Sequence, residues 1–189
     1  SEAADWSNSQ RIDHVRALLA PFSELHSLGV GHCDIDLHNL WYAGDQRSIV
    51  VTGFGAASLE GRESLESLRS KLQSAPYVLP EDAYEEAIEP YRLDVFMLAV
   101  VAYRICFAGE SLLIANQVPE WKIPQQDPFG GILNSWFEQA LHLEPGKRFP
   151  RADIMLNEFN SATKEQSHDH DEANQIYEEL RESEFFREG

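Results

Sequence analysis

Cations are scarce in this chain. Its 15 Lys and Arg stand against 32 Asp and Glu, leaving a formal net charge of -17 over 189 residues. That balance disfavours a nucleic-acid partner, whose phosphates need clustered Lys and Arg, and it opposes an anionic membrane surface. It leaves two readings of the acid excess: solubility alone, or a surface meant for a basic partner. Cysteine is nearly absent too. Cys33 and Cys106 are too few for a disulfide framework, so a reducing, cytoplasmic compartment is the simpler reading. No apolar run approaches the ~20 residues that span a bilayer, and the polar first residues lack a secretory pattern. The chain starts at Ser1 rather than Met, which suggests an excised or processed product. There is no internal repeat.

What is there is an ordinary globular composition, 43% hydrophobic and 11% aromatic. A chain of this length is one domain with an appendage, able to bury roughly 70% of its unfolded surface. Residues 1–10 are polar and read as frayed. Ile12, Val15, Leu18, Leu19, Phe22 and Leu25 recur at helical spacing, so 11–27 reads as an amphipathic helix that tolerates Pro21 and ends before Gly29 and Gly31. Leu40-Trp41-Tyr42 and Ile49-Val50-Val51, joined by the turn residues 43–46, read as a small hairpin.

Residues 56–74 are charged and serine-rich, a loop with room for a short helix, and 82–88 read as one or two helical turns. Val95–Phe107 is apolar nearly all round, the mark of a buried central helix. Pro119, Pro124, Pro128, Gly130 and Gly131 make 112–131 mostly connection. Ile132–Leu143 and Arg151–Phe159 read as two closing helices. The tail, 161–189, holds nine Asp or Glu against three Lys or Arg, and reads as an acidic, partly helical segment.

The densest chemistry lies in His32-Cys33-Asp34-Ile35-Asp36-Leu37-His38-Asn39, with Gly53-Phe54-Gly55 beginning fourteen residues later. The first segment resembles the protein-kinase catalytic loop H-R-D-L-x-x-x-N, and the second stands where kinases carry D-F-G. Leu79-Pro80-Glu81 resembles the A-P-E closing the activation segment. Asp94-Val95-Phe96 resembles the start of the kinase central helix, and Glu144-Pro145-Gly146-Lys147-Arg148-Phe149-Pro150 the segment before the last helix. Residues 11–160 therefore resemble the C-terminal lobe of a eukaryotic-type protein kinase. The implied fold is mainly α, a helical domain with a small β-hairpin at the catalytic loop. The glycine-rich loop, strand lysine and helix Glu of the N-terminal lobe have no counterpart in this sequence.

On that resemblance Asp34 takes the position of the base, in vestigial form, and Asn39 that of a magnesium ligand. Three positions depart from the pattern. Gly53 replaces a metal-binding aspartate, Asp36 replaces a lysine, and Cys33 replaces an arginine. Replacing +1 by -1 near phosphate costs on the order of 2–4 kcal/mol, and a lost metal ligand adds several more, together roughly a ten-thousandfold loss of rate. The structural roles implied are His32 beneath Phe54, Asp94 bracing the loop, and a buried Glu81–Arg148 pair.

The expectation is thus a pseudokinase-like interaction or regulatory domain without phosphotransfer activity of its own, and without a cofactor for this chain alone. The alternative is the C-lobe of a divergent Ser/Thr-type kinase whose N-lobe lies outside this chain, using ATP and Mg with Asp36 and Asn39 as weak metal candidates. A second alternative is a structural domain of a larger protein. The acidic runs Asp34-Asp36-His38 and His168–Glu172 read as solvated polar groups rather than metal sites. The partner expected is a protein, another domain of the parent chain, or a second copy, meeting an apolar face around Phe54, Leu40 and Tyr42.

Overall fold

Ser7 sets where the first helix begins. Its side chain accepts from the Gln10 backbone N–H, and the Gln10 side chain accepts from the Ser7 N–H, a reciprocal capping box. The computed structural model describes residues 6–43, 48–59, 78–83, 89–108, 112–115 and 118–164. In it α1 spans Asn8–Ser27 and runs through Pro21. Trp6 stacks on His14, and Asn8 Nδ2 donates to the Pro128 carbonyl. Of the stretch 1–10 read as frayed, residues 1–5 lie outside the described residues, and Trp6 to Gln10 make the cap and these contacts.

Ile12, Val15, Leu18, Leu19, Phe22 and His26 form the buried stripe of α1. It packs against α3 (Pro90–Cys106) and α5 (Ala152–Ala162). Pro90 opens α3 in the first turn, where its missing N–H forfeits no helix bond, so this helix starts five residues before the apolar run suggested. From Leu93 to Tyr103 every residue of α3 is buried, which makes it the centre of the core. Arg11 on α1 donates from Nη1 to the Cys106 carbonyl and satisfies the end of α3. Arg16 reaches Asn160 and Thr163 at the end of α5, while His26 meets Ala152 at its start. The two helices therefore run in opposite directions.

The short α4 (Asn134–Ala140) adds Trp136 and Phe137, and the Trp136 indole N–H donates to the Met155 carbonyl of α5. Around Phe137 gather the rings of Tyr103, Phe107, Trp121 and Trp136. Three two-stranded antiparallel pairs complete the described residues. β1 (Val30–Gly31) pairs with β4 (Ser58–Leu59), and β2 (Leu40–Tyr42) with β3 (Ile49–Val51). β5 (Leu113–Ala115) pairs with β6 (Val118–Glu120), so 112–131 is not connection alone: a short hairpin forms despite Pro119. The protein is mainly helical, as its periodicity suggests. The expectations for 60–77, 84–88 and 165–189 fall outside the described residues. Among the described residues no helix is long and apolar enough to cross a membrane.

One buried ion pair joins the two halves of the sequence. Arg148, wholly buried, donates from Nη1 to Glu81 Oε1 at 2.6 Å and from Nη2 to Oε2 at 3.3 Å. Glu81 lies on the single turn α2 (Pro80–Ala83). The remaining three N–H groups of Arg148 go to the carbonyls of Arg92, His142 and Leu143, and its guanidinium lies 4.6 Å over the Phe96 ring. All five donors are used, the condition under which a buried charge is tolerated. Burial pulls the guanidinium below its ordinary value, and the Glu81 charge opposes that shift. Lysine, with three donors and no planar fork, cannot reproduce the arrangement. Arg148→Lys is expected to lose about 3 kcal/mol or more in urea unfolding at unchanged m-value; a loss below about 1 kcal/mol would contradict this account.

Candidate functional site

The loop between β1 and β2 is held by a carboxylate from beneath. Asp94, fully buried on α3, accepts the His32 backbone N–H at 2.6 Å on Oδ2 and the Cys33 N–H at 2.7 Å on Oδ1. The His26 ring adds a third contact, Nε2 to Asp94 Oδ2 at 3.0 Å. His26 Nδ1 accepts the Ala152 N–H at 3.0 Å, so Nε2 must carry the proton and donate to Asp94. One imidazole thus caps the start of α5 and anchors the carboxylate that orders the loop. Nothing in the sequence reading singled out His26, because an i+4 step from Phe22 reads as one more core position.

Two backbone features show how tightly the loop is drawn in. Gly31 passes so close to α3 that a Cβ there would come within 2.7 Å of the Pro90 Cβ. Cys33 has φ +61, a left-handed conformation costing a non-glycine residue roughly 1–2 kcal/mol. The Asp94 bonds to the His32 and Cys33 N–H groups, with the Asp34 N–H on His32 Nδ1, hold it there. The Cys33 side chain is buried, as is Cys106, and neither forms a disulfide. Burial pushes the Cys106 thiol far up. Cys33 is therefore a packed residue at a strained turn and presents nothing to solvent.

His32 is sandwiched. Its ring lies 4.9 Å from that of Phe54 and meets the edge of Phe22 at 5.8 Å. Nδ1 accepts the Asp34 N–H at 3.3 Å, which leaves Nε2–H to donate to the Thr52 carbonyl at 2.9 Å. The ring so ties the loop to the segment following β3. Asn39 adds a second tie, its Nδ2 donating to the Asp34 carbonyl at 2.9 Å and its own carbonyl accepting the Thr52 N–H.

Gly53 closes this arrangement. Its φ is +83, and a Cβ built on it would overlap the Asn39 carboxamide. The position lacks more than a carboxylate: it has no room for a side chain while Asn39 is turned toward Asp34. Asp36 is likewise committed. It caps the 3-10 turn Leu37–Asn39 by accepting the His38 N–H at 2.9 Å, and its Oδ1 also meets the exposed His38 ring at short distance. Burial pushes the Asp36 carboxyl up, but the His38 backbone and ring bonds, with the charges of His38 and Arg104, outweigh it and hold the carboxyl below its ordinary range. Asp34 differs. It is half-buried, and its carboxylate accepts no hydrogen bond from a described residue.

Of the weak metal candidates, Asn39 donates from Nδ2 to the Asp34 carbonyl and Asp36 accepts from His38 on Oδ1. Among the described residues no three His, Cys, Asp or Glu are gathered to hold an ion. The stretch 168–172 lies outside the described residues. No model of a known protein family matches the sequence.

The apolar face differs from the one expected around Phe54, Leu40 and Tyr42. Leu40 and its register partner Val51 pack against the core. Their neighbours Trp41 and Val50, paired on the opposite face of the hairpin, are 62% and 49% exposed. The period of two along each strand sends alternate residues outward, and this register turns Leu40 in. Leu37 and Phe54 are 51% and 45% exposed. The side chain of Tyr42 lies outside the description.

Gly53→Ala is expected to cost about 2–3 kcal/mol, the sum of left-handed strain and one lost hydrogen bond as Asn39 is displaced; a neutral result in urea unfolding would refute the packing described. Asp36 makes a pH prediction. Its folded value lies below the unfolded one, so its contribution is present above pH ~4 and is lost as pH falls through the folded value. His38→Ala should move the Asp36 carboxyl upward in an NMR titration, and an unchanged curve would show that His38 is not the cause.

Proposed function

We propose that this chain is a pseudokinase-like protein-interaction domain, built as a kinase C-terminal lobe and unable to transfer phosphate by itself. The reading rests on the resemblance of residues 11–160, and several contacts support it. Asp94 braces the loop that carries Asp34, His32 lies beneath Phe54, and Glu81 is paired with Arg148. The observation that carries the inactive reading is at Gly53. Phosphoryl transfer depends on metal ions bridging phosphate oxygens, and here the position of the metal-binding carboxylate is a glycine pressed against Asn39. On the resemblance, Asp36 also stands at the position of a lysine that would neutralise phosphate. Cytoplasmic residence fits two buried thiols with no disulfide.

An enzyme reading retains one favourable observation. The Asp34 carboxylate is left uncommitted by the described residues, which a base needs and a purely structural aspartate does not. A divergent phosphotransferase completed by an N-lobe outside this chain, with ATP and Mg, is therefore the second reading. Thermal unfolding tests the inactive reading. With millimolar ATP and magnesium the melting temperature is expected to match that with magnesium alone. A magnesium-dependent stabilisation by ATP that disappears in Asn39→Ala would establish nucleotide binding and overturn the inactive reading.

A further inference from the structure

His26 is bonded on two sides, and the two bonds answer a proton in opposite ways. Its Nε2 meets Asp94 Oδ2 on α3 at 3.0 Å, and its Nδ1 accepts the Ala152 N–H of α5 at 3.0 Å. The residue is buried, so a bond lost there is not simply replaced by bulk water. The Ala152 bond exists only while Nδ1 keeps its lone pair. An imidazolium carries a proton on both nitrogens and has no acceptor left. Its Nδ1–H would face the Ala152 N–H, donor against donor, at the positive end of an eleven-residue helix. The Asp94 bond gains instead, because a charged donor on a carboxylate makes the stronger hydrogen bond.

The surroundings sharpen this asymmetry. Four elements pack on α1: α3, α5, β1 and β3. From α3 the ring meets Asp94 and the Tyr91 ring, the latter at 4.6 Å. Ahead of α5, the Arg151 guanidinium lies 5.7 Å from the other contact of that pair, the Tyr91 ring, and is itself paired with Asp153 at 3.2 Å. A second cation at His26 would therefore be set against Arg151 across Tyr91, with Asp153 offsetting part of the repulsion. β1 and β3 bring no titratable side chain. His32 follows β1, but its ring is turned to Phe54 and the Thr52 carbonyl. The opening also has a stop. Met155 gives its carbonyl to the Trp136 indole, and the far end of α5 is tied to Arg16 through Asn160 and Thr163.

We propose that His26 is a proton-operated latch: proton uptake at Nδ1 breaks the bond to Ala152 and frees the first turn of α5, while Nε2 stays on Asp94 and keeps the loop at His32 and Cys33 in place. The latch rests on the contacts of His26 alone and holds whichever function the domain serves.

The test is an NMR pH titration of the isotope-labelled full chain, reading the His26 ring nitrogens together with the amides of Ala152, His32 and Cys33. As the ring takes up its proton, the Ala152 amide should lose its hydrogen-bonded shift at the same midpoint. Its protection against solvent exchange should fall roughly tenfold, the effect of one lost hydrogen bond. The His32 and Cys33 amides should keep theirs. In His26→Gln, which has no titrating ring, the Ala152 amide should not follow pH over that range. An Ala152 amide that stays put while His26 titrates would overturn the latch, as would a response that persists in His26→Gln. Simultaneous loss of all three amides would overturn it too, and so would a ring that stays neutral until circular dichroism shows the chain unfolding. Should His26→Gln fail to fold, the titration of the natural chain decides by itself.

Discussion

A buried carboxylate with no arginine or lysine partner among the described residues organises this protein. Asp94 lies near the start of the most apolar helix, fully out of solvent, and among the described residues is compensated by donors: two consecutive backbone amides and one imidazole. Each buried donor left without an acceptor costs about 1–3 kcal/mol, so the loop and the carboxylate hold one another in place. The left-handed Cys33 persists because the amides on which its turn depends are both engaged. His26 extends the linkage to α5 through Ala152. Three helices and the candidate site thus meet at a single side chain.

Arg148 solves the same problem with the opposite sign. Its five donors are distributed over Glu81 and three carbonyls drawn from α3 and the segment before α5. Neither buried charge is evidence of great stability, because desolvation offsets most of what the contacts supply. What they impose is uniqueness. A shifted helix would strand a charge in the core, so competing arrangements are penalised more heavily than an apolar core would penalise them.

The helices were legible because their apolar spacing is strong. The buried run from Val95 stands out by composition alone, and Val15, Leu18, Leu19 and Phe22 mark the core face of α1. Boundaries were less so. The Ser7–Gln10 capping box is written in the sequence, yet its polar residues also suit a loose terminus, and only tertiary contacts of Trp6 and Asn8 decide between them. The hairpin after Leu112 was obscured by Pro119, which suits an edge position as well as a loop. At the site, residue identity showed that position 53 lacks a carboxylate. It did not show that Asn39 fills the space, because close approach of a glycine to a side chain distant in sequence leaves no local signature. His26 was invisible for the same reason: its partners lie 68 and 126 residues away.

The site therefore divides by commitment rather than by residue type. His32, Asp36 and Asn39 each have the chemistry to act on a ligand, and each is bound to its own backbone or to a neighbour two to twenty residues away. A group so held cannot reach outward without first losing a bond, and that loss subtracts directly from whatever it would gain. Asp34 owes no such debt to the described residues, and the rings of Trp41 and Phe54 have little of the core to cover.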